Sequence, residues 1–536
     1  MTKPIYCAAV DLGATSGRVI LGTWSPGGRG FTPRLSLQEV HRFPNALRSV
    51  GGHDYWDIPG LWQEVLQGLA AAVAALPRGA KLASVGVDTW GVDYVLTNDA
   101  GRIVFPTHAY RDSRTQAPLE HLKNTRAAYD RIYAATGIPA VFYNSSFQLA
   151  ETIESCPAIT DLATRCLFLP DYFNFLLSGK MANGLSIAST TQLLDVHGND
   201  WSRVALDYFR VPPTWLSTPV RAGARLGRLS PEVGLVLRTS RASERGGHPG
   251  APGGRGLPSE IADTQVIAVP GHDTTCAYDA MPAAPDGGDI FLSSGTWSLV
   301  GFESDRPLLG PDALAARIAN DRTGRGEYRP LVNVIGLWML EQTMKDFAAR
   351  PKNDAEWAKL ISAAEKLPSY FGKVGGALRP DSRHPKPRQS GHKAPPTAEL
   401  LEMNFAEFGH PPSMKAAIDA QLKRRKLPLP RNLAGYVRLI CDSLGAGHAL
   451  AIRDFEKLSG RTFQRILMVG GGSKNRLLCQ ATANASGLPV VSFSLEGSTV
   501  GNLANQLIAL KAVKNLAEFR RLYSPTLKQT MYRPKA

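Results

Sequence analysis

Five strand-ending turns, rich in glycine and small polar residues, carry the residue types from which phosphoryl chemistry is built. They are VDLGATSGRV (residues 10–19), ASVGVDTWGVDY (83–94), PGHDTT (270–275), LSSGTWSLVGFES (292–304) and VGGGSKNRLL (469–478). In the first, Asp11 ends a strand and Ala14-Thr15-Ser16-Gly17-Arg18 follows. A tight turn of small residues exposes successive backbone N–H groups to a phosphate. Asp11 is placed to hold Mg²⁺ directly or through water, and Arg18 to neutralise phosphate charge. No GK[ST] follows, so this is not a Walker loop, and an ordinary hairpin turn would look the same. Thr296 sits in a turn of the same design in the second half of the chain. His272-Asp273-Thr274 closes a strand, where a carboxylate suits a general base that takes a hydroxyl proton. Asp273 could equally serve only as a helix N-cap. Gly470-Gly471-Gly472 leads from a strand into a helix and allows close approach of a base, ribose or phosphate. It could also be a packing turn. Asp88, Gly91, Asp93, Tyr110, Arg111 and Asp112 offer carboxylates, guanidinium and aromatic faces that suit a polyhydroxylated ligand, or else a buried ion-pair network. Tyr143, Asn144 and Gln148 are candidates to complete such a pocket. The combination predicts a phosphate donor meeting a hydroxylated acceptor.

The elements that must position these turns are legible in the hydrophobic pattern. YCAAVDLG, RVILGTW and SLQEVHRF read as three consecutive strands. Residues 59–76 open on Pro59 and place Leu61, Val65, Leu69, Val73 and Leu76 on one helical face. KLASVGVDT (81–89) is the next strand. The second half repeats the plan: QVIAVPGHD ends a strand, DIFLSSG and WSLVGFES form a glycine-turned pair, and a long helix is expected over 433–457. RILMV (465–469) is a strand, with a helix expected from about Ser473. The fold class is α/β with a mixed sheet, and two similar halves imply a cleft that takes the ligand. We place the domains at 1–262 and 263–536. Residues 221–262 and 379–396, rich in Gly, Pro and Arg, are expected to be flexible insertions that bury little.

The chain has 536 residues, too many for one ordinary core. Its apolar stretches fall well short of the ~20 residues of a membrane span, and its first residues run into a strand without the architecture of a signal peptide. Six scattered cysteines without a CxxC pair argue against a disulfide framework or a zinc site and for a reducing cytoplasm. The formal net charge of +15 is partly local to the two Gly/Pro-rich segments, which lack the interleaved aromatics that stack bases. Nucleic-acid binding is therefore the weaker reading of the charge, and attraction of a polyphosphate the stronger.

DLGATSGRV, HRFPN (41–45), VDTWGVDYVL, YRDSRT, LPDYFNFLLSGKM (169–181), TTQLLDV (190–196), LSSGTWSLVGFES, NVIGLW (333–338) and VGGGSKNRLL resemble, in this order, the FGGY carbohydrate kinases, and within them the L-rhamnulose kinases. The resemblance runs from about residue 5 to about residue 510. It implies the actin-like ATPase (ribonuclease H-like) fold, with two domains closing over MgATP and a sugar. It implies that Asp273 is the catalytic base and that His272, Thr274, Gly91 and Asn333 contact the sugar, with Tyr110 and Arg111 beside them. By the same resemblance Ala14 to Arg18, Thr296 and Gly470–Gly472 hold ATP, and Asp11 organises Mg²⁺. Glu341 stands where the family carries a nucleotide-contacting Gln, with Gln342 next, and brings negative charge towards ATP. The implied reaction is phosphorylation of the 1-hydroxyl of a ketose by a phosphotransferase with an alcohol acceptor. L-Rhamnulose leads the candidates, and L-fuculose, another ketose or a polyol are the alternatives. A nucleotide- or sugar-binding regulator on the same fold is the reading from a different class. The expected protein is cytoplasmic, a monomer or homodimer, without membrane or nucleic-acid partners.

Overall fold

The computed structural model describes residues 3–27, 33–244, 260–371, 400–403, 405–409, 411–493 and 496–535. The chain divides into two compact units. The first takes in residues 1–282, 303–330 and 496–526, the second 283–302, 331–495 and 527–536.

In the first unit the β-branched runs of the N-terminus form the expected strands, β1 (Ile5–Leu12), β2 (Ser16–Ser25) and β3 (Arg34–Pro44). They join β4 (Leu82–Thr89), β5 (Arg225–Arg228) and β6 (Gln265–Ile267) in the order β3-β2-β1-β4-β6-β5. β1 and β4 run parallel with Asp11 opposite Asp88, and β6 runs parallel to β4. The helix α1 (Ile58–Ala74) covers this sheet. Asp57 caps it by accepting from the Gly60 N–H at 2.8 Å. Its Leu61, Val65, Leu69 and Val73 are buried as the spacing predicts. Gly68 allows close approach to β2: a Cβ there would lie 2.3 Å from Val19 Cγ2.

Two expectations about this plan need correction. Residues 221–244 are not an unburied insertion. They form β5, paired antiparallel with β6, and a helix Pro231–Glu244, and Leu226, Leu229, Val233 and Leu237 are core residues. Apolar residues at helical spacing outweighed the Gly/Pro/Arg composition. Residues 245–259 and 379–396 lie outside the described residues. The compact units also depart from the division at 262/263, because the first unit reclaims 263–282 and two later segments. Packing explains this. The helices α2 (Asp273–Ala280) and α5 (Gly497–Ala509) cross so closely that a Cβ on Gly501 would fall 1.8 Å from Cys276 O.

The second unit is built on β7 (Asp289–Ser294), β8 (Trp297–Gly301), the Leu331–Ile335 part of β9 (Tyr328–Ile335), β10 (Arg465–Val469), β11 (Val490–Phe493) and β12 (Gln529–Tyr532). They run in the order β9-β8-β7-β10-β11-β12. The long helix α3 (Leu433–Ser459) matches the expected one. The helix expected from Ser473 begins later: Gly471–Lys474 is a 3₁₀ turn, and α4 (Arg476–Ser486) starts after Asn475. The Asn475 side chain accepts from the Leu477 and Leu478 N–H groups at 3.1 and 3.2 Å, so Asn475 and not Ser473 sets the boundary.

Candidate functional site

The ends of β1 and β4 bring together carboxylates that lie far apart in the sequence. Asp11 Oδ2 accepts from Arg18 Nη2 at 2.8 Å and Nε at 3.0 Å, from Ser498 Oγ at 2.5 Å and from Thr499 Oγ1 at 2.9 Å. All of these bonds fall on one oxygen. Arg18 also pairs with Glu496. Asp88, opposite Asp11 on the neighbouring strand, is fully buried. Asn502 Nδ2 donates to its Oδ2 at 2.6 Å, while its Oδ1 has no hydrogen-bond partner among the described residues. Burial, and then the Asp11 charge, push the Asp88 carboxyl well above the ordinary range.

Asp273 is the first residue of α2, and the preceding His272 occupies the cap position without a side-chain cap bond. Asp273 Oδ1 accepts from the Thr274 N–H at 2.5 Å and from Thr274 Oγ1 at 3.1 Å. Burial and then the Asp11 charge push its carboxyl up to about 7, while the Thr274 bonds pull it down. A third of the side chain still reaches solvent, and that water moderates the push. Asp273 therefore does more than start a helix: it belongs to a group of three carboxylates with Asp11 and Asp88. His272 Nε2 lies 3.5 Å from Asp273 Oδ1, and its Nδ1 lies 3.8 Å from Asp321 Oδ2.

Gly91 adjoins these groups, and its missing side chain leaves His272 and Thr190 next to its backbone. A Cβ there would lie 3.4 Å from both His272 Nε2 and Thr190 Oγ1. Tyr110 borders the same region: its N–H donates to Asp93 Oδ2 at 3.2 Å, and its hydroxyl accepts from Arg111 Nε at 3.0 Å. Asp93 is a buried hub whose Oδ2 also accepts from Trp56 Nε1 at 2.6 Å and Trp90 Nε1 at 2.8 Å. Gln148 Nε2 donates to its Oδ1 at 3.1 Å. Burial lifts Asp93 to about 6 against the pull of these donors. Gln148 accepts in turn from Arg114 at 3.2 Å, and Arg114 pairs with Glu151 at 2.7 Å. Gln148 is thus buried and committed within the protein, and Asn144 is buried with its amide on Pro139 O.

The first turn is itself braced. Asn45 donates from Nδ2 to Gly13 O and from its backbone N–H to Thr15 O, each at 3.0 Å. The N–H groups of Ala14 and Thr15 have no backbone acceptor among the described residues. Ser16 and Gly17 open β2, where Gly17 admits the Phe43 ring: a Cβ there would lie 2.3 Å from it.

In the second unit three glycine turns interlock. The Leu337 N–H donates to Gly295 O at 2.8 Å and the Trp338 N–H to Thr296 O at 3.3 Å. A Cβ on Gly470 would lie 2.5 Å from Ser294 O, and one on Gly472 would lie 2.1 Å from Ser294 Oγ. Thr296 is exposed at the tip, and Gly471 is exposed beside Leu337. Asn333 lies on β9 opposite Leu299. Glu341 sits in the helix Trp338–Asp346 and accepts an ion pair from Arg350 Nε at 3.0 Å, which offsets the charge that set it apart in the sequence.

Against this geometry, models of the FGGY family of carbohydrate kinases match the chain twice: the N-terminal domain over residues 6–237 and the C-terminal domain over 290–510. The chain belongs to this family. It is 34% identical over 529 residues to a rhamnulokinase of Klebsiella pneumoniae, covering 99% of this chain and 94% of that protein. It is likewise 34% identical over 530 residues to a rhamnulokinase of Enterobacter sp., with 99% and 94% covered. Among solved structures, a gluconate kinase from Lactobacillus acidophilus superposes with a TM-score of 0.73 at 14% identity, over 99% of this chain and 94% of that one. A xylulose kinase from Rhodospirillum rubrum does so with a TM-score of 0.73 at 15% identity and the same coverage. The FGGY chain therefore has the actin-like ATPase fold and is a sugar kinase, a phosphotransferase that uses ATP on a sugar hydroxyl. Among the described residues no helix is long and apolar enough to cross a membrane.

The sequence reading omitted several residues that the fold brings to Asp11, Asp88 and His272: Glu496, Ser498, Thr499 and Asn502 from the start of α5, and Asp321 and Thr190. A run of small and amide residues, EGSTVGNLANQ (496–506), is the signal that was present for the first four.

Proposed function

We propose that the chain transfers the γ-phosphate of ATP to the 1-hydroxyl of a ketose, L-rhamnulose first, with Asp273 as general base. The observation that carries this reading is the carboxylate at the N-terminus of α2, raised to about 7 beside Asp11 and 3.5 Å from His272, which Gly91 adjoins. A base with its pKa near neutrality is both ionised in useful amount and basic enough to take a hydroxyl proton. The names of the relatives, which this chain matches over nearly its full length, support L-rhamnulose. Gly91, His272, Thr274, Tyr110, Arg111 and Asn333 are assigned to the sugar. Ala14 to Arg18, Thr296, Glu341 and Gly470 to Gly472 are assigned to ATP.

The carboxylate group fits a divalent cation. Asp11, Asp88 and Asp273 carry mutual repulsion that a cation would relieve. No group of three or more His, Cys, Asp or Glu able to hold a metal is found among the described residues. Mg²⁺ keeps several waters and takes one or two carboxylates. Asp11 would hold it, directly or through water, with Arg18, Ser498 and Thr499 fixing the carboxylate. When bound, the ion offsets charge on the transferring phosphoryl group. Asp273 takes the 1-hydroxyl proton as that oxygen bonds to the γ-phosphorus and the bond to the ADP oxygen breaks.

The six cysteines are free, in keeping with a reducing compartment, and we assign the enzyme to the cytoplasm as a monomer or homodimer. The test is ADP release with MgATP against L-rhamnulose, L-fuculose, L-ribulose and D-xylulose, with no-sugar and glycerol controls. A strong preference for L-rhamnulose is expected. Preference for another sugar would overturn the substrate and keep the mechanism; silence across the panel in protein that binds ATP would overturn both.

A further inference from the structure

Of the seven non-glycine residues with positive φ among the described residues, only Val92, at +69°, and Gln192, at +65°, are buried. For a β-branched residue such as Val92 this conformation is a genuine outlier. Val92 is the centre of a three-residue γ-turn, closed by the Asp93 N–H donating to Gly91 O at 2.9 Å. With φ positive this is the strained form of the turn, and it persists only where its surroundings over-determine it.

Buried polar side chains do so here. The Val92 N–H donates to Thr190 Oγ1 at 3.3 Å, and the Ser145 hydroxyl donates to Val92 O. Thr190 Oγ1 itself donates to Ile187 O at 2.8 Å, so its proton is committed and a lone pair is left for Val92. Ser145 and Ser146 open the helix Ser145–Ser155. The Ser146 hydroxyl donates to Gln192 Oε1 at 2.7 Å, and its N–H donates to Thr191 O at 3.1 Å. Two adjacent serines therefore serve both buried outliers, and residues 190–192 link them. Asp93, whose N–H closes the turn, also binds the Trp90 indole and the Tyr110 N–H through its carboxylate. The strained turn thus lies between segments that carry Gly91, Tyr110 and Arg111. Strained backbone concentrates where a fixed direction is used in binding or catalysis.

We propose that Ser145 and Thr190 are positioning residues for the sugar: they hold Val92 in its strained turn, and the turn fixes the direction of the Gly91 backbone. The inference rests on the assignment of Gly91 to the sugar, and it deepens that assignment by naming what holds this backbone in place.

The test is a double-mutant cycle between Ser145→Ala and Val92→Gly, read by KM for the ketose the wild type prefers and by KM for ATP. Glycine adopts positive φ without strain, so a glycine at position 92 needs no clamp. Ser145→Ala is expected to raise KM for the ketose by on the order of tenfold, as loss of one buried hydrogen bond does, with KM for ATP unchanged. In the Val92→Gly background the same step is expected to cost about twofold or less. A purely structural defect would lower the amount of active enzyme and leave both KM values as they are. An equal penalty in the two backgrounds overturns the proposal, as does an unchanged ketose KM or an equal rise for both substrates. If Ser145→Ala does not fold, Thr190→Val, which keeps the shape and removes the acceptor, takes its place in the cycle. A crystal structure of the wild type gives a readout without turnover: positive φ at Val92 is expected, and negative φ overturns the proposal. A wild type silent on every ketose overturns the sugar assignment and this proposal with it, whereas an active wild type with an additive cycle overturns this proposal alone.

Discussion

At the residue scale, the raised carboxyl of Asp273 has a consequence in pH. A base is active when ionised, so kcat/KM for the ketose should rise with pH through about 7 and level off above it. A profile flat from pH 5.5 to 8 would remove Asp273 from that role. Asp273→Asn should lower kcat by about a hundredfold or more while ATP affinity stays near normal, as loss of a general base does; near-normal turnover would overturn the mechanism. Asp171 gives a second pH effect, on stability. Both of its oxygens accept from the Gly184 N–H, and burial pushes its carboxyl up to about 8. The folded protein therefore binds a proton that the unfolded chain releases near pH 4, about the ordinary value. The stability this supplies is present below that pH and is lost as pH rises towards about 8. Asp171→Asn keeps one acceptor and removes the titration, so its denaturation midpoint should fall less between pH 5 and 8 than that of the wild type.

At the scale of elements, glycines and caps decide how closely turns approach. Gly470 has φ +84° and no room for a Cβ against Ser294 O, so Gly470→Ala must displace one of two turns assigned to ATP. Nucleotide affinity by calorimetry should weaken by about tenfold, equivalent to ~1.4 kcal/mol; unchanged affinity would detach this turn from the nucleotide. Asn475→Ala removes the cap of α4 and should cost about 1 kcal/mol of stability in urea unfolding. The strands were legible in sequence because runs of β-branched and other apolar residues, buried continuously in β1, β4 and β10, are bounded by turns of glycine and small polar residues. The start of α4 was misjudged by two to three residues because two adjacent polar residues, Ser473 and Asn475, are both plausible caps. Ser473 instead donates to Gly470 O at 2.7 Å inside the 3₁₀ turn.

For the whole molecule, ligands that bind only the folded protein must raise its stability. At free ligand a hundredfold above Kd the gain is about 2.7 kcal/mol. Thermal unfolding with MgATP, with ketose and with both should therefore show upward shifts that depend on concentration. A ketose that is phosphorylated yet leaves the transition unmoved at such concentrations would contradict sugar binding by the folded first unit. The division of the chain into units also belongs to this scale. Residues 496–526 return to the first unit, where Ser498, Thr499 and Asn502 reach Asp11 and Asp88 across nearly the whole length of the sequence.

The sequence by itself determined the α/β class, the positions of the glycine turns, the family and the candidate carboxylates Asp11 and Asp273. Each is written locally, in hydrophobic period, in residues that tolerate tight turns and in motifs long enough to be specific. Only the tertiary structure decided that Arg18 is tied to Asp11 and Glu496, that Gln148 braces Asp93, that Arg350 meets Glu341, and that Asp321 stands behind His272. Those pairings join side chains from separate strands and helices, and no local pattern encodes a partner that packing brings from elsewhere in the chain.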